Sequence, residues 1–410
     1  MSTQVLPNNI HSHAPKIAPE VSRATSIKAQ VEAYLCARAL AQDSGSNSAN
    51  PGGKVTASHG ANPGANPGAN PSANPSANGS ATSHELSFTS CDAPEVTFDS
   101  YTRCELCPRC CKAPRNRPQA GYCGCSNKLY IARAALHYWE EPPISGKAGS
   151  GAIFFTGCPL RCVFCQNLRI SQEGYGKQIT TARLAEIMLE LQQQGALNIN
   201  LVTPLHYAPH VRTAICMAKE AGLQLPIVCN TSGYEKPETV AAMADVIDIW
   251  LPDMKFYSPK LASALLATPN YPEYAQASLA VMIESLRKKG GRKIEAKTGR
   301  MLQGIIVRHL VMPGHTDDSW NVLRTLWNMG HNEIDVSIMN QYTPNRRCRK
   351  QGGNLSHTLS NEEYESVLDY ADGLGFEHMW WQQGGTVSES FIPEFDATGV
   401  VGKELVVQNK

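Results

Sequence analysis

Gly151-Ala-Ile-Phe-Phe-Thr-Gly-Cys158-Pro-Leu-Arg-Cys162-Val-Phe-Cys165-Gln-Asn167 is the stretch whose reading decides the fold. The apolar run Ile153–Phe155, stopped by a glycine, predicts a buried strand. Leu184, Ile187, Met188 and Leu191 recur at helical spacing, opened by Thr180–Thr181 and closed by Gly195. The same alternation then repeats. NINLVTP, LPIVCNTSG, VIDIWLPDM, GIIVRHLVM and IDVSIMNQY read as further strands. Helical stretches from Val211 to Ala221, Glu238 to Ala244, Ser278 to Lys289 and Ser319 to Met329 lie between them. Apolar β-branched strands alternating with helices predict parallel strands with helices outside. The expected fold class is α/β, a partial (β/α)6 barrel, with an open doubly wound sheet as the alternative. In both, chemistry belongs at the C-terminal ends of the strands.

Outward from that core the chain changes character. Residues 1–98 read as a largely disordered extension. Ala24 to Ala41 is a possible short helix, and ANPGANPGANPSANPSA from Ala61 to Ala77 lies within a linker from Asp43 to Ser83. That tract has no large apolar side chain to offset chain entropy. Residues 99–147 form a cysteine-rich module, 148–345 the barrel, and 346–410 an extension with a helix at Asn361–Gly373 and a strand at Met379–Trp381. The aromatic run Trp380–Trp381 reads first as half-buried packing. With 37 basic and 36 acidic residues the net charge is +1, which points to no nucleic acid and no anionic membrane surface. No apolar run approaches the roughly 18–20 residues that span a bilayer. No secretory signal opens the chain, so the expected location is cytoplasmic.

Fourteen cysteines are present, and their dense short spacing in such a chain points to metal or cluster ligation rather than disulfides. Cys158, Cys162 and Cys165, spaced CxxxCxxC, suit three irons of a [4Fe-4S] cluster and leave the fourth open. The amine and carboxylate of S-adenosylmethionine (SAM) can chelate an open iron. A low-potential cluster can then break a carbon–sulfur bond to give a 5′-deoxyadenosyl radical. The competing reading is a zinc site, but zinc prefers CxxC pairs and four ligands.

GCPLRCVFCQN after a strand resembles the radical SAM signature, within it the pyruvate formate-lyase activating enzyme branch, and nearest the PflX-like Fe–S proteins. CELCPRCC, GYCG, ARAALHYWEEPPISG, NINLVTP, NTSGY, DIWLPDMK and VRHLVMPG extend the resemblance from about Tyr101 to Gly375. It implies that Cys158, Cys162 and Cys165 hold the cluster, with Phe164 beside the adenine. The family's Gly-Gly-Glu word is replaced by Thr203-Pro204-Leu205-His206, so the strand-end carbonyls, Thr203 or His206 are expected to take the methionyl amine. The resemblance places Asn230, Thr231 and Asp253 near SAM and a monovalent cation. Lys255 faces the SAM carboxylate, and Arg308 and His309 line the same pocket. Packing roles compete: a helix cap for Asp253, a core histidine for His309.

Cys104, Cys107, Cys111 and Cys123 match the family's second cysteine set, for zinc or an auxiliary Fe–S cluster, with Cys110 and Cys125 as extras. Implied partners are a reductant such as flavodoxin or ferredoxin and a hydrogen-donating substrate. In the activating branch that substrate is a glycine of a partner protein; a peptide or small molecule is the other option. A non-catalytic Fe–S or zinc electron carrier or scaffold is the alternative function.

Overall fold

The computed structural model describes residues 4–5, 96–382 and 391–402. The possible helix at Ala24–Ala41 and the linker at Asp43–Ser83 lie outside these residues. The strands, in chain order, are β1 (Gln4–Val5), β2 (Leu129–His137), β3 (Ser150–Phe155), β4 (Lys177–Ile179), β5 (Ile199–Val202), β6 (Ile227–Thr231), β7 (Ile249–Pro252), β8 (Lys293–Ile294), β9 (Met301–Leu310), β10 (Asp335–Met339) and β11 (Met379–Trp381). They form one sheet in the order β1-β11-β10-β9-β7-β6-β5-β3-β2-β4, with β8 beside β9. From β3 to β11 the neighbours on this path are parallel; β2 and β4 are antiparallel additions at one edge. This is an α/β partial barrel with a mostly parallel sheet.

The parallel strands β3, β5, β6 and β7 are buried on both faces, which is why they read as continuous apolar runs. Side chains alternate strictly between the faces. Ile153, Phe155, Leu201, Ile227, Cys229, Trp250, Ile305 and Val307 join the core under the helices. Ala152, Phe154 and Val202, and separately Val228, Ile249, Leu251 and Ile306, form the inner face.

The helices follow from local chemistry. Thr181–Gln193 starts where the Thr180 side chain accepts from the Arg183 amide, and it buries Leu184, Ile187, Met188 and Leu191. Burying each such aliphatic side chain contributes about 1.5–3 kcal/mol. Leu184→Ala, at a fully buried site, is expected to cost about 2–5 kcal/mol. Asn361–Leu374 opens with a capping box between Ser360 and Glu363.

The expected boundary at residue 346 falls inside a continuous structure. Helix Asn361–Leu374 feeds β11, which pairs in parallel with β10 through Val336–Met379 and Ile338–Trp381. The barrel thus gains a seventh βα-fed parallel strand. Trp380 and Trp381 are half-buried in it, and Trp380 Nε1 donates to Asp335 at 3.3 Å.

Candidate active site

The loop after β3 carries the three cysteines and is braced from several directions. Gly157 sits at φ +90°, and a Cβ there would lie 2.2 Å from Cys125 Sγ and 2.8 Å from the Cys123 carbonyl. Only glycine fits this contact. The Cys158 amide donates to the Cys123 carbonyl at 3.3 Å, and the Val163 amide to the Leu265 carbonyl at 2.9 Å. Asn345 Nδ2 donates to the Val163 carbonyl at 2.9 Å. Cys158 and Cys165 are half-buried and Cys162 is buried. Burial, reinforced by the neighbouring thiols Cys162 and Cys165, pushes the Cys158 thiol well up. Burial also pushes Cys162 up to about 12 against the pull of Lys255.

All three thiols open into a cavity of about 230 Å³ at the C-terminal ends of the strands. Phe164, Thr203, Asn230, Thr231, Asp253, Lys255 and Arg308 line the same cavity. Phe164 meets Phe256 edge-on at 6.0 Å. Thr203, at φ 57°, is one of the non-glycine residues in the left-handed region. Asp253 is not a helix cap. Its Oδ2 pairs with Lys255 Nζ at 2.5 Å and its Oδ1 with Arg308 Nε at 3.2 Å. Burial opposes ionisation of Asp253, but Lys255 and Arg308 hold it below the usual carboxylate range. Both carboxylate oxygens of Asp253 are thus engaged by side-chain cations.

Two expected pocket residues face elsewhere. His309 follows Arg308 on β9, so it points to the opposite face. It is a satisfied core histidine, its Nδ1 bonded to the Met254 carbonyl at 2.7 Å and its Nε2 to Ser319 Oγ at 2.9 Å. Burial pushes it down to about 4, so it is neutral. His206 lies in the tight turn Leu205–Tyr207 and turns toward the cysteine-rich module. Its Nε2 donates to the Thr156 carbonyl at 2.9 Å, and its own carbonyl accepts from Arg115 Nη1 at 2.7 Å.

Glu140, which the sequence reading passed over, does line the cavity. Its Oε1 accepts from Asn200 Nδ2 at 2.9 Å and its Oε2 pairs with Arg308 Nη1 at 3.2 Å. The signal available was a pair of acids, Glu140–Glu141, immediately ahead of two prolines at the barrel entrance.

In the second cysteine set, Cys104, Cys107 and Cys123 are buried and Cys111 is exposed. Arg115, 1% exposed, donates to Cys104 Sγ at 3.4 Å and stacks over the Tyr101 ring at 4.7 Å. Cys125 Sγ donates to the Thr156 carbonyl at 3.3 Å. Among the described residues no three His, Cys, Asp or Glu side chains converge on a single-ion position. Cys229 is buried, whereas Cys216 is only half-buried.

The donor set of the cavity fits a cubane cluster and SAM. Three thiols, with no fourth cysteine among the described lining residues, share it with polar strand-end groups. Residues 152–326 match the Radical SAM superfamily. Over those residues the chain is similar to a radical SAM domain. Membership of that superfamily implies a [4Fe-4S] cluster and SAM. An uncharacterized protein of Methanocaldococcus jannaschii is 25% identical to this chain over 293 residues, 70% of this chain and 79% of that one. Solved structures similar to this chain include SuiB of Streptococcus suis bound to S-adenosylmethionine, 15% identical with a TM-score of 0.39. That match covers 55% of this chain and about half, 48%, of SuiB. A radical SAM methyltransferase from Sphaerobacter thermophilus is 15% identical with a TM-score of 0.40, covering 58% of this chain and 68% of that one. No described helix is long and apolar enough to cross a membrane.

Proposed function

We propose that this chain is a radical SAM enzyme in which Cys158, Cys162 and Cys165 hold the cluster, and SAM occupies the adjoining cavity. The observation that carries the reading is the opening of all three thiols into the cavity that Asn230, Asp253, Lys255 and Arg308 also line. When bound and reduced, the cluster supplies the electron that cleaves SAM to methionine and a 5′-deoxyadenosyl radical, which takes a hydrogen atom from a substrate.

The side chains divide the remaining work. Lys255 has three N–H donors and spends one on Asp253, so it has donors left for the SAM carboxylate. Asp253 keeps that ammonium charged, and burial alone would not. Phe164 closes the cavity beside the third cysteine and excludes water. At the mouth Trp139 meets Phe391 edge-on at 5.5 Å, a wall able to pack against a substrate segment. A flavodoxin- or ferredoxin-type reductant would deliver the electron. The hydrogen donor is a peptide, a glycine of a partner protein, or a small molecule.

The test is anaerobic reconstitution with iron and sulfide, followed by dithionite, SAM and an assay for 5′-deoxyadenosine. Cluster-dependent formation supports the reading. An intact cluster that yields none, and whose EPR signal SAM leaves unchanged, favours an electron carrier and overturns it.

A further inference from the structure

Glu140 reaches the site from outside the barrel proper. It sits between β2 and the turn Pro142–Ser145, where Ser145 Oγ bonds to its carbonyl at 2.8 Å. Its buried carboxylate ties three strands together, touching Asn200 on β5, Arg308 on β9 and, at 3.5 Å, Asn230 on β6. Arg308 is thereby held from both sides. Nε faces Asp253, Nη1 faces Glu140, and Nη2 donates to Asn230 Oδ1.

This arrangement has a consequence for Lys255. Asp253 offers one oxygen to Arg308 and the other to Lys255. A guanidinium released from Glu140 could turn and engage both oxygens, because its fork matches a carboxylate bidentately. Lys255 would then lose its partner and its direction. Glu140 and Asp253 are also the acidic side chains among the described lining residues, balanced by Lys255 and Arg308. Removing one acid unbalances these charges and leaves Glu141, buried behind the lining, as the other carboxyl acting on Arg308 with Asp253.

We propose that Glu140 is a positioning residue for SAM: by holding Arg308 away from Asp253, it fixes the ammonium of Lys255 toward the cavity. This rests on the reading that the cavity takes SAM. The test is equilibrium SAM binding to the anaerobically reconstituted full chain, with iron content and melting temperature measured alongside. Glu140→Gln is expected to weaken SAM binding roughly tenfold, as loss of a supporting shell commonly does, with iron content unchanged. Arg308→Met should weaken binding as well, and the double variant should be no weaker than Arg308→Met, since the two act through one contact. Unchanged SAM affinity in Glu140→Gln, or losses that add fully in the double variant, would overturn the proposal. Should Glu140→Gln not fold, Asn200→Ser frees the other carboxylate oxygen and is expected to weaken SAM two- to fivefold; wild-type affinity there also overturns it. If the wild-type protein itself binds no SAM, the functional reading fails first and takes this proposal with it.

Discussion

The backbone amide of Cys158 donates directly to the carbonyl of Cys123. The first of the three proposed cluster cysteines and the last of the four expected ligands in the cysteine-rich module are therefore one hydrogen bond apart. Arg109 Nε adds a bond to the Pro159 carbonyl at 2.9 Å, and Arg161 reaches the Tyr122 carbonyl. Damage to one segment passes to the other.

Gly157→Ala tests that coupling. The new Cβ meets Cys125 Sγ and the Cys123 carbonyl, and the backbone is already at positive φ. Strain of about 1–3 kcal/mol from the backbone alone, plus the clash, should displace the loop. Iron bound per chain after reconstitution is expected to fall by more than half. Full iron loading would refute the coupling.

Cys162→Ala should abolish 5′-deoxyadenosine formation and reduce iron content. Cys110→Ala, at a half-buried thiol bonded to the Cys107 carbonyl, should leave both near wild type. Iron assay and product chromatography distinguish the two.

His309→Gln should lower stability by about 1–3 kcal/mol, because it breaks a buried bridge between Met254 and Ser319, and should leave SAM affinity unchanged. Arg308→Met should do the reverse to affinity. Calorimetric binding beside thermal melts separates the neighbours.

Much of this contrast was available before the structure. Residues 308 and 309 are consecutive in a strand and cannot share a face, so at most one could line the pocket. The parallel strands β3, β5, β6 and β7 are legible because burial on both faces leaves unbroken apolar runs. β11 is harder to read. Its three residues carry two tryptophans, and only pairing with β10 shows that it extends the barrel. His206 is misleading for a different reason: the turn at Leu205–Tyr207 rotates it toward Thr156, and no local pattern encodes that rotation. Glu140 is legible only in hindsight, since its partners Asn200, Asn230 and Arg308 are distant in sequence.

Stability should also carry a pH signature from Glu235. Burial pushes this carboxyl up from 4.5 to about 8, with the Thr231 and Ser232 hydroxyls opposing. The folded state therefore holds a proton that the unfolded state releases. Its stabilisation is complete below about pH 4.5 and is lost as pH rises through about 8. Each pH unit in that window costs about 1.4 kcal/mol at most. Glu235→Gln should flatten the decline in melting temperature between pH 5 and 8; an unchanged slope would assign it to other groups.

Residues 391–402 run along β2. The Ala134 amide donates to the Thr398 carbonyl, and the Ala397 amide to the Ala132 carbonyl. The same segment sends Phe391, Ile392 and Pro393 into the cavity wall. During synthesis the cysteines of the β3 loop leave the ribosome long before this segment does. A nascent chain therefore exposes Cys158, Cys162 and Cys165 to solvent and oxygen before their cavity is walled. The order of translation itself thus sets a period in which these thiols are accessible, before Phe391, Ile392 and Pro393 can wall them in.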